Sequence, residues 1–358
     1  MEIQMDLKPL NLQGIECKRP LLITGPCSAE SEEQVLCTAK QLAAKGMKIF
    51  RAGVWKPRTK PNTFEGYGVE ALPWLAEARE VTGLPITTEV ANAKHVEEAS
   101  LYDLDIYWVG ARTVSNPFSM QEVAEALRGT DKMVYVKNPV SADIDLWAGG
   151  VERLLACGIK NIGLIHRGFS GYGAGDLRNA PMWHLALEMR RRMPDLPMIC
   201  DPSHICGSRQ YIQDIAQQAA DLGYDGFMIE SHICPEKALS DSKQQLTPED
   251  FAKVIESIKW RAEASNSESD VTPDTFPALE SSVFLQAVAP TPITITESND
   301  NRSIVETLKS IPFYIYYGQI YKFFLVIAKK RLGLSNKSIE QSPLLKSSIT
   351  RLLWRCTS

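Results

Sequence analysis

The feature that most constrains the fold is an alternation of short apolar runs with amphipathic stretches, which continues to about residue 264. Eight runs are apolar and rich in β-branched side chains, as is typical of strands buried on both faces. The predicted strands are 20–27, 48–55, 85–90, 106–112, 133–139, 162–168, 197–204 and 226–232. Helices are predicted between them, among others at 33–45, 69–82, 183–192, 209–222 and 248–264. Thr247 and Asp250 give the last helix a clear start, a hydroxyl cap with an acid three residues on.

Eight strands that alternate with helices over about 250 residues predict an α/β protein of the (β/α)8 class, the TIM barrel. The alternative is a doubly wound open sheet, which usually has fewer strands and a glycine-rich first turn. The chain contains neither a GxGxxG segment nor a P-loop motif. The barrel is therefore favoured.

Charge and cysteine content exclude some functions. The 358 residues carry a net charge of −4 at pH 7, which argues against nucleic acid as the main partner. Eight cysteines are present without any CxxC pair, so a zinc ribbon is not expected and most thiols are predicted to be reduced. Residues 1–12 lack an apolar stretch behind positive charges, and we expect a cytoplasmic protein with no membrane partner.

Charged or metal-binding side chains follow at or near the ends of the predicted strands. They are Cys27, Arg51, Lys56, Glu89, Arg112, Lys137, Arg167, His204 and Glu230. The carboxyl ends of the strands form the active site in this fold. Four or five converging cations would repel one another unless anions lay among them, so the pattern predicts a site for phosphate and carboxylate groups.

One set of these residues is suited to a metal ion. Cys27, His204, Glu230 and Asp241 offer one sulfur, one nitrogen and two oxygen donors. Such a mixed set suits a divalent transition metal of the Mn, Fe, Zn or Co class. The long spacing makes the set weak by itself, because a lone cysteine is more often a small buried residue. We interpret His95, His184 and His232 as structural, and His166 as a possible support for a ligand.

Eight motifs in order carry a family resemblance that covers about residues 15–264. They are GPCSAES (25–31), RAGVWKPRT (51–59), TEV (88–90), GARTVSN (110–116), VKNP (136–139), IHRG (165–168), DPSHICG (201–207) and IES with ALSD (229–241). Together they resemble 3-deoxy-D-arabino-heptulosonate 7-phosphate (DAHP) synthase of the type I beta branch. The resemblance implies a condensation of phosphoenolpyruvate with erythrose 4-phosphate, the first step of aromatic amino-acid biosynthesis. It also implies a homo-oligomer, dimer or tetramer, with a divalent metal and no organic cofactor.

The resemblance also implies a role for each matching residue. Cys27, His204, Glu230 and Asp241 would bind the metal, and phosphoenolpyruvate would be bound by Arg51, Lys56, Arg112, Lys137 and Arg167. Arg58 and Thr59 would hold the phosphate of erythrose 4-phosphate. Lys56 would lie near both substrates, Glu89 near the reacting centre and Asp201 near the sugar hydroxyls. The catalytic set implied in this way is Lys56, Glu89, Cys27 and His204.

Other functions remain open at this point. The related octulosonate 8-phosphate synthases carry a KANRS-type segment where this chain has KPRT at 56–59, so the resemblance favours erythrose 4-phosphate. Some of those enzymes have Asn in place of the metal-binding Cys, whereas this chain has Cys27. The remaining alternatives are a bifunctional enzyme with a divergent C-terminal chorismate mutase, a sialic-acid-type synthase and a non-catalytic regulatory barrel.

The composition changes after the barrel. We predict domain 1–264, a polar linker at 265–282 and an unassigned basic tail at 283–358. Residues 301–358 hold ten Lys/Arg and two Asp/Glu. A chorismate mutase domain follows the barrel in one group of the resembling family, but its pattern is not recognisable here. The tail is interpreted as disordered, as the aberrant product of a shifted reading frame, or as a divergent small domain.

Overall fold

The structure is a computed structural model that describes residues 20–58, 61–171 and 174–260, and the backbone of two short strands before them. These strands, β1 (Leu10–Leu12) and β2 (Ile15–Cys17), pair antiparallel. They were missed by the sequence analysis, because three residues are too few to show alternation. Thr59, the predicted linker and the predicted tail lie outside the described residues.

All eight predicted strands are present, and they form one closed parallel barrel. The strands are β3 (Leu21–Gly25), β4 (Ile49–Arg51), β5 (Ile86–Val90), β6 (Ile106–Val109), β7 (Met133–Lys137), β8 (Ile162–His166), β9 (Met198–Cys200) and β10 (Gly226–Glu230). Each pairs with the next in sequence, and β10 closes the barrel on β3. The predicted (β/α)8 architecture is confirmed.

Helices connect the strands, as parallel pairing requires. They are α1 (Glu32–Ala44), α2 (Leu72–Thr82), α3 (Ala93–Ser100), α4 (Ala111–Val114), α5 (Pro117–Ala126), α6 (Ile144–Ala156), α7 (Trp183–Arg192), α8 (Pro202–Cys206), α9 (Ile212–Asp221) and α10 (Pro248–Ser257). Single 3-10 turns occur at Gly68–Ala71, Arg209–Tyr211 and Pro235–Lys237. Among the described residues, no helix is long and apolar enough to cross a bilayer.

Several predicted boundaries were wrong; strand 48–55, for example, ends at Arg51. Strand 106–112 ends at Val109, and Arg112 lies in the short helix α4. Strand 197–204 ends at Cys200, and His204 lies in α8, because Asp201 caps that helix by accepting a hydrogen bond from the His204 N–H. Helix α10 begins behind Thr247 as predicted, but it ends at Ser257 rather than 264 because Ile258 has an extended backbone.

Two apolar layers surround the strands. Inside the barrel lie Leu21, Ile23, Ile49, Ile106, Trp108, Met133, Tyr135, Ile165, Ile199 and Met228. A larger cluster fills the space between the strands and the outer helices. Successive side chains of a strand point to opposite faces, so the interior residues mark which later positions also point inward.

Candidate active site

The charged residues of the candidate site lie two positions after the apolar residues that fill the barrel interior. Arg51 lies two positions after Ile49, Lys137 two after Tyr135, and Glu230 two after Met228. The same relation connects Arg167 with Ile165 and Asp201 with Ile199. These charged groups therefore point into the carboxyl-terminal mouth of the barrel, and all of them are buried.

Three of the four predicted metal ligands lie together. The sulfur of Cys27 and one carboxylate oxygen each from Glu230 and Asp241 are within 4.8 Å of one another. Cys27 Sγ lies 3.5 Å from Asp241 Oδ2. His204 belongs to the same group, because its Nε2 atom lies 3.8 Å from Glu230 Oε1.

This donor set fits a divalent metal. Glu230 Oε1 is buried, and within the described part of the chain it has no hydrogen-bond donor. Burial, followed by the charge of Glu230, raises the pKa of the Cys27 thiol to about 12. A thiolate buried beside two carboxylates would be unfavourable unless a cation compensated the negative charge. One sulfur, one imidazole nitrogen and two carboxylate oxygens suit Zn, Fe, Mn or Co.

Two predicted cations meet at the backbone of the cysteine. Arg51 Nη2 and Lys56 Nζ donate to the carbonyl oxygen of Cys27 at 3.0 and 2.9 Å. Arg51 Nη1 lies 3.5 Å from Glu230 Oε1, and its guanidinium lies 4.7 Å from the centre of the Trp108 ring. Burial by itself lowers the pKa of Lys56, but its interactions with Cys27, Glu89 and Glu230 raise it above the usual value. Lys56 is therefore a persistent cation beside the cluster.

Asp201 connects the anion-binding side to the metal side. Its Oδ2 atom lies 2.8 Å from Lys137 Nζ and 2.8 Å from His204 Nδ1. A neutral His204 with its proton on Nδ1 would keep the lone pair of Nε2 for a metal, the arrangement that metal-binding histidines use. Burial by itself raises the pKa of Asp201, but His204 and Lys137 hold it well below its usual range. The predicted contact of Asp201 with sugar hydroxyls stays a prediction.

Arg167 is buried, and Arg112, the most exposed arginine predicted to bind phosphoenolpyruvate, lies close enough to affect its charge. Its Nη1 atom donates to Asn179 Oδ1 at 3.2 Å. Burial lowers the pKa of Arg167 to about 10, opposed by Asp201 and assisted by Arg178 and Arg112. Arg112 itself is exposed on α4. Arg112 is thus close enough to Arg167 to contribute to the lowering of its pKa.

Glu89 and Arg58 lie at the rim of the mouth. Glu89 Oε2 accepts a hydrogen bond from Trp108 Nε1 at 3.2 Å, and a Cβ atom at Gly110 would overlap its carboxylate. Arg58 Nε donates to the carbonyl of Phe64 at 2.7 Å. An open pocket of about 220 Å³ adjoins Lys56 and Glu89, and it is also lined by Trp55, Pro57, Glu65, Ala91 and His95. A larger cavity, about 340 Å³, lies outside the barrel against α5 and α6 and contains none of the predicted site residues.

Several residues that contact the site were not predicted from the sequence. Trp108 lies two positions after Ile106, and alternate residues of β6 point into the barrel, so its inward direction could have been predicted. Arg178, Gln244 and Gln245 belong to connections where polar residues are normally solvated, and no local pattern marks them. His166, interpreted as a support, has its Nδ1 atom 2.9 Å from the hydroxyl of Tyr224.

Comparisons with known proteins agree with this geometry. Residues 11–264 match the model of the DAHP synthetase I family. The phospho-2-dehydro-3-deoxyheptonate aldolase of Thermotoga maritima is 32% identical over 243 residues, which are 68% of this chain and 70% of the relative. A 2-dehydro-3-deoxyphosphooctonate aldolase of Geobacter sp. (strain M21) is 29% identical over 264 residues, 67% of this chain and 92% of that relative.

A solved structure of the Thermotoga maritima phospho-2-dehydro-3-deoxyheptonate aldolase is 30% identical, with a TM-score of 0.59. The match covers 66% of this chain and 66% of that chain, just under two thirds of the solved protein. A truncated form of 3-deoxy-D-arabino-heptulosonate 7-phosphate synthase from the same organism is 28% identical, with a TM-score of 0.56, over 66% of this chain and 83% of that one. The family match, the barrel and the residues at its mouth lead to one conclusion: this chain belongs to the DAHP synthetase I family.

Proposed function

We propose that the chain condenses phosphoenolpyruvate with D-erythrose 4-phosphate to give DAHP and phosphate. The observation that carries the proposal is the juxtaposition of two groups at one barrel mouth. Arg51, Lys56 and Lys137 supply positive charge. Beside them, Cys27, Glu230 and Asp241 supply metal ligands. Two phosphorylated substrates, one with a carboxylate and one with an aldehyde, match both requirements.

The cations bind and orient phosphoenolpyruvate. Arg51, Lys56, Lys137, Arg167 and Arg112 would share its phosphate and carboxylate, and guanidinium groups suit these anions because they donate two parallel hydrogen bonds. The face of Trp108 lies 4.7 Å from the Arg51 guanidinium and 6.0 Å from Lys137 Nζ. This ring limits the directions in which the two cations move. A substrate bound by fixed groups loses its rotational freedom before the reaction, which is a large part of such catalysis.

The metal would be held by Cys27, His204, Glu230 and Asp241. When bound, it supplies a Lewis acid that polarises the aldehyde of the sugar phosphate. Asp201 Oδ2 lies 2.8 Å from His204 Nδ1. Gln244 Nε2 donates to Glu230 Oε2 at 2.7 Å, and Arg51 Nη1 lies 3.5 Å from Glu230 Oε1. These contacts preorganise the ligands.

The remaining steps use groups of the chain. C3 of phosphoenolpyruvate forms the new bond to the aldehyde carbon, and the aldehyde oxygen takes a proton to become a hydroxyl. Water adds to the electron-deficient C2 and loses a proton. Phosphate then leaves as the bond between C2 and the phosphate ester oxygen breaks, and C2 becomes a ketone as its hydroxyl loses the second proton. Lys56 Nζ, close to Cys27, would donate to an oxygen of either substrate. Glu89, beside the pocket, would position the water.

The choice of aldose rests on the segment KPRT at 56–59 and on the family match. An octulosonate-type reaction with arabinose 5-phosphate is the second candidate, because the relatives with that name match over about the same share of this chain. The homo-oligomer and the cytoplasmic location stay predictions.

Phosphate release from phosphoenolpyruvate tests the proposal. Release should require erythrose 4-phosphate, stop on addition of a chelator and return on addition of Mn²⁺. Cys27→Ala should lose metal and activity together, whereas Cys37→Ala, a partly buried free cysteine on α1, should keep both. Full activity of metal-free Cys27→Ala protein would exclude the proposed metal site.

A further inference from the structure

Two adjacent glutamines in the connection after β10 contact the proposed metal ligands. Gln244 and Gln245 are 2% and 0% exposed. Gln244 Nε2 donates to Glu230 Oε2 at 2.7 Å, and Gln244 Oε1 accepts from Arg178 Nη1 at 3.0 Å. The amide of Gln244 therefore donates at one end and accepts at the other.

Arg178 extends this connection to the second carboxylate. Its Nη1 atom lies 3.2 Å from Asp241 Oδ1. Asp241 has a φ of +47°, a left-handed conformation that costs free energy for a residue with a side chain. The N–H of Gln244 donates to the carbonyl of Asp241 at 3.1 Å and closes the turn. Asp241 is therefore held in place by its neighbours.

The contacts leave one oxygen of each carboxylate facing the cluster. Oε2 of Glu230 is occupied by Gln244, while Oε1 lies 3.8 Å from His204 Nε2. Oδ1 of Asp241 is occupied by Arg178, while Oδ2 lies 3.5 Å from Cys27 Sγ. Glu230 Oε1 and Asp241 Oδ2 are the oxygens that a metal would take.

Gln245 fixes the remaining side of the cluster. Its Oε1 atom accepts from the N–H of Cys27 at 2.9 Å, and its Nε2 atom donates to the carbonyl of Ser240 at 2.8 Å. Ser240 directly precedes Asp241, so the buried side chain of Gln245 connects the backbone at Cys27 with the backbone next to Asp241. The two glutamines together contact three of the four proposed ligands or their chain neighbours.

We propose that Gln244 and Arg178 are positioning residues that hold Glu230 and Asp241 with a single oxygen of each directed at the metal. The inference rests on the proposed metal site. Neither residue touches the metal or a substrate in this account. Both act through the carboxylates that they bind, as groups behind metal ligands commonly do.

Metal affinity measures this role without the reaction. Full-length apo protein is titrated with Co²⁺ and with Mn²⁺ by calorimetry, and the ligand-field absorption of bound Co²⁺ is recorded. Gln244→Met and Arg178→Met should each weaken binding about 10- to 100-fold and change the Co²⁺ spectrum. Gln218→Leu, an exposed glutamine of α9 that accepts from Trp183, is the matched control and should bind like the wild type.

The variants separate positioning from folding. The Arg178 side chain is 40% exposed, so Arg178→Met should fold even if the buried Gln244→Met does not, and Arg178→Lys should recover part of the affinity. Unchanged affinity and an unchanged spectrum in Arg178→Met would overturn the inference while leaving the metal site intact. A wild-type chain that binds neither ion would instead overturn the metal site itself, and the inference with it.

Discussion

The carboxylate of Asp201 lies 2.8 Å from the ammonium group of Lys137, and the two side chains are 0% and 6% exposed. The same oxygen lies 2.8 Å from His204 Nδ1. Lys137 belongs to the proposed binding set for phosphoenolpyruvate, and His204 to the proposed metal set. One buried carboxylate therefore joins the two halves of the site.

Asp201→Asn should damage stability and metal binding together. The change leaves Lys137 buried without its counterion, and breaking a buried pair in this way costs about 3–5 kcal/mol. Chemical denaturation of the apo protein measures the free energy of unfolding. Asp131→Asn, an exposed carboxylate before β7, is the control and should be nearly neutral. Wild-type stability of Asp201→Asn would show that the ion pair is not formed as described.

Arg58→Ala should separate the two substrates. Losing one hydrogen bond of a charged donor, about 1.5–3 kcal/mol, predicts an increase of about 10- to 150-fold in the KM for erythrose 4-phosphate. The KM for phosphoenolpyruvate should change little. Arg191→Ala removes an exposed arginine of α7 that pairs with Glu188, and it should alter neither KM. Equal increases for both substrates would mean that Arg58 does not contact the sugar phosphate.

Acid should destabilise the barrel through His166. Burial lowers the pKa of His166 to about 3 from an ordinary value of 6.5. Between these values the unfolded chain binds a proton that the folded chain does not, so the free energy of unfolding falls as pH falls below 6.5. The loss is at most about 1.4 kcal/mol per pH unit, or about 2 kcal/mol at about pH 5.

Denaturation at about pH 7 and about pH 5 in the wild type, His166→Gln and His184→Gln measures this contribution. His166→Gln should lose about 2 kcal/mol of the pH dependence. His184→Gln, an exposed histidine of α7, should retain it. An identical dependence in all three proteins would show that His166 is protonated in the folded state.

Residues after the barrel should be dispensable. The closing strand β10 and the capped helix α10 are complete by Ser257, and 265–282 read as a polar linker. A chain truncated after Ser265 should fold, bind metal and form product at the full-length rate. The full-length chain should not convert chorismate to prephenate. Chorismate turnover above background would show that the tail contains a mutase. Aggregation of the truncated chain would show that the tail covers part of the apolar surface.

Much of this architecture was predictable because it depends on local pattern. Buried parallel strands are apolar over their whole length, so all eight were recognisable. Alternate residues of a strand point into the barrel, so the inward direction of Arg51 and of Glu230 was also predictable. The helical positions of Arg112 and His204 were not predicted. Gly110 and Asp201 end the strands earlier than the apolar pattern suggests.

The contacts behind the ligands could not be predicted in the same way. Gln244 lies 14 residues from Glu230 and 66 from Arg178 along the chain. The sequence around it resembles an ordinary polar loop. Its burial and its two partners exist only once β8, β10 and their connections meet at the barrel mouth.

The most direct test of the proposed reaction is a competition between two aldoses. Purified wild-type protein with Mn²⁺ and phosphoenolpyruvate is given equal concentrations of erythrose 4-phosphate and arabinose 5-phosphate, and the sugar acid products are quantified by mass. We expect the seven-carbon product to exceed the eight-carbon product by about 100-fold or more. An excess of the eight-carbon product, or no product from either aldose, would contradict it.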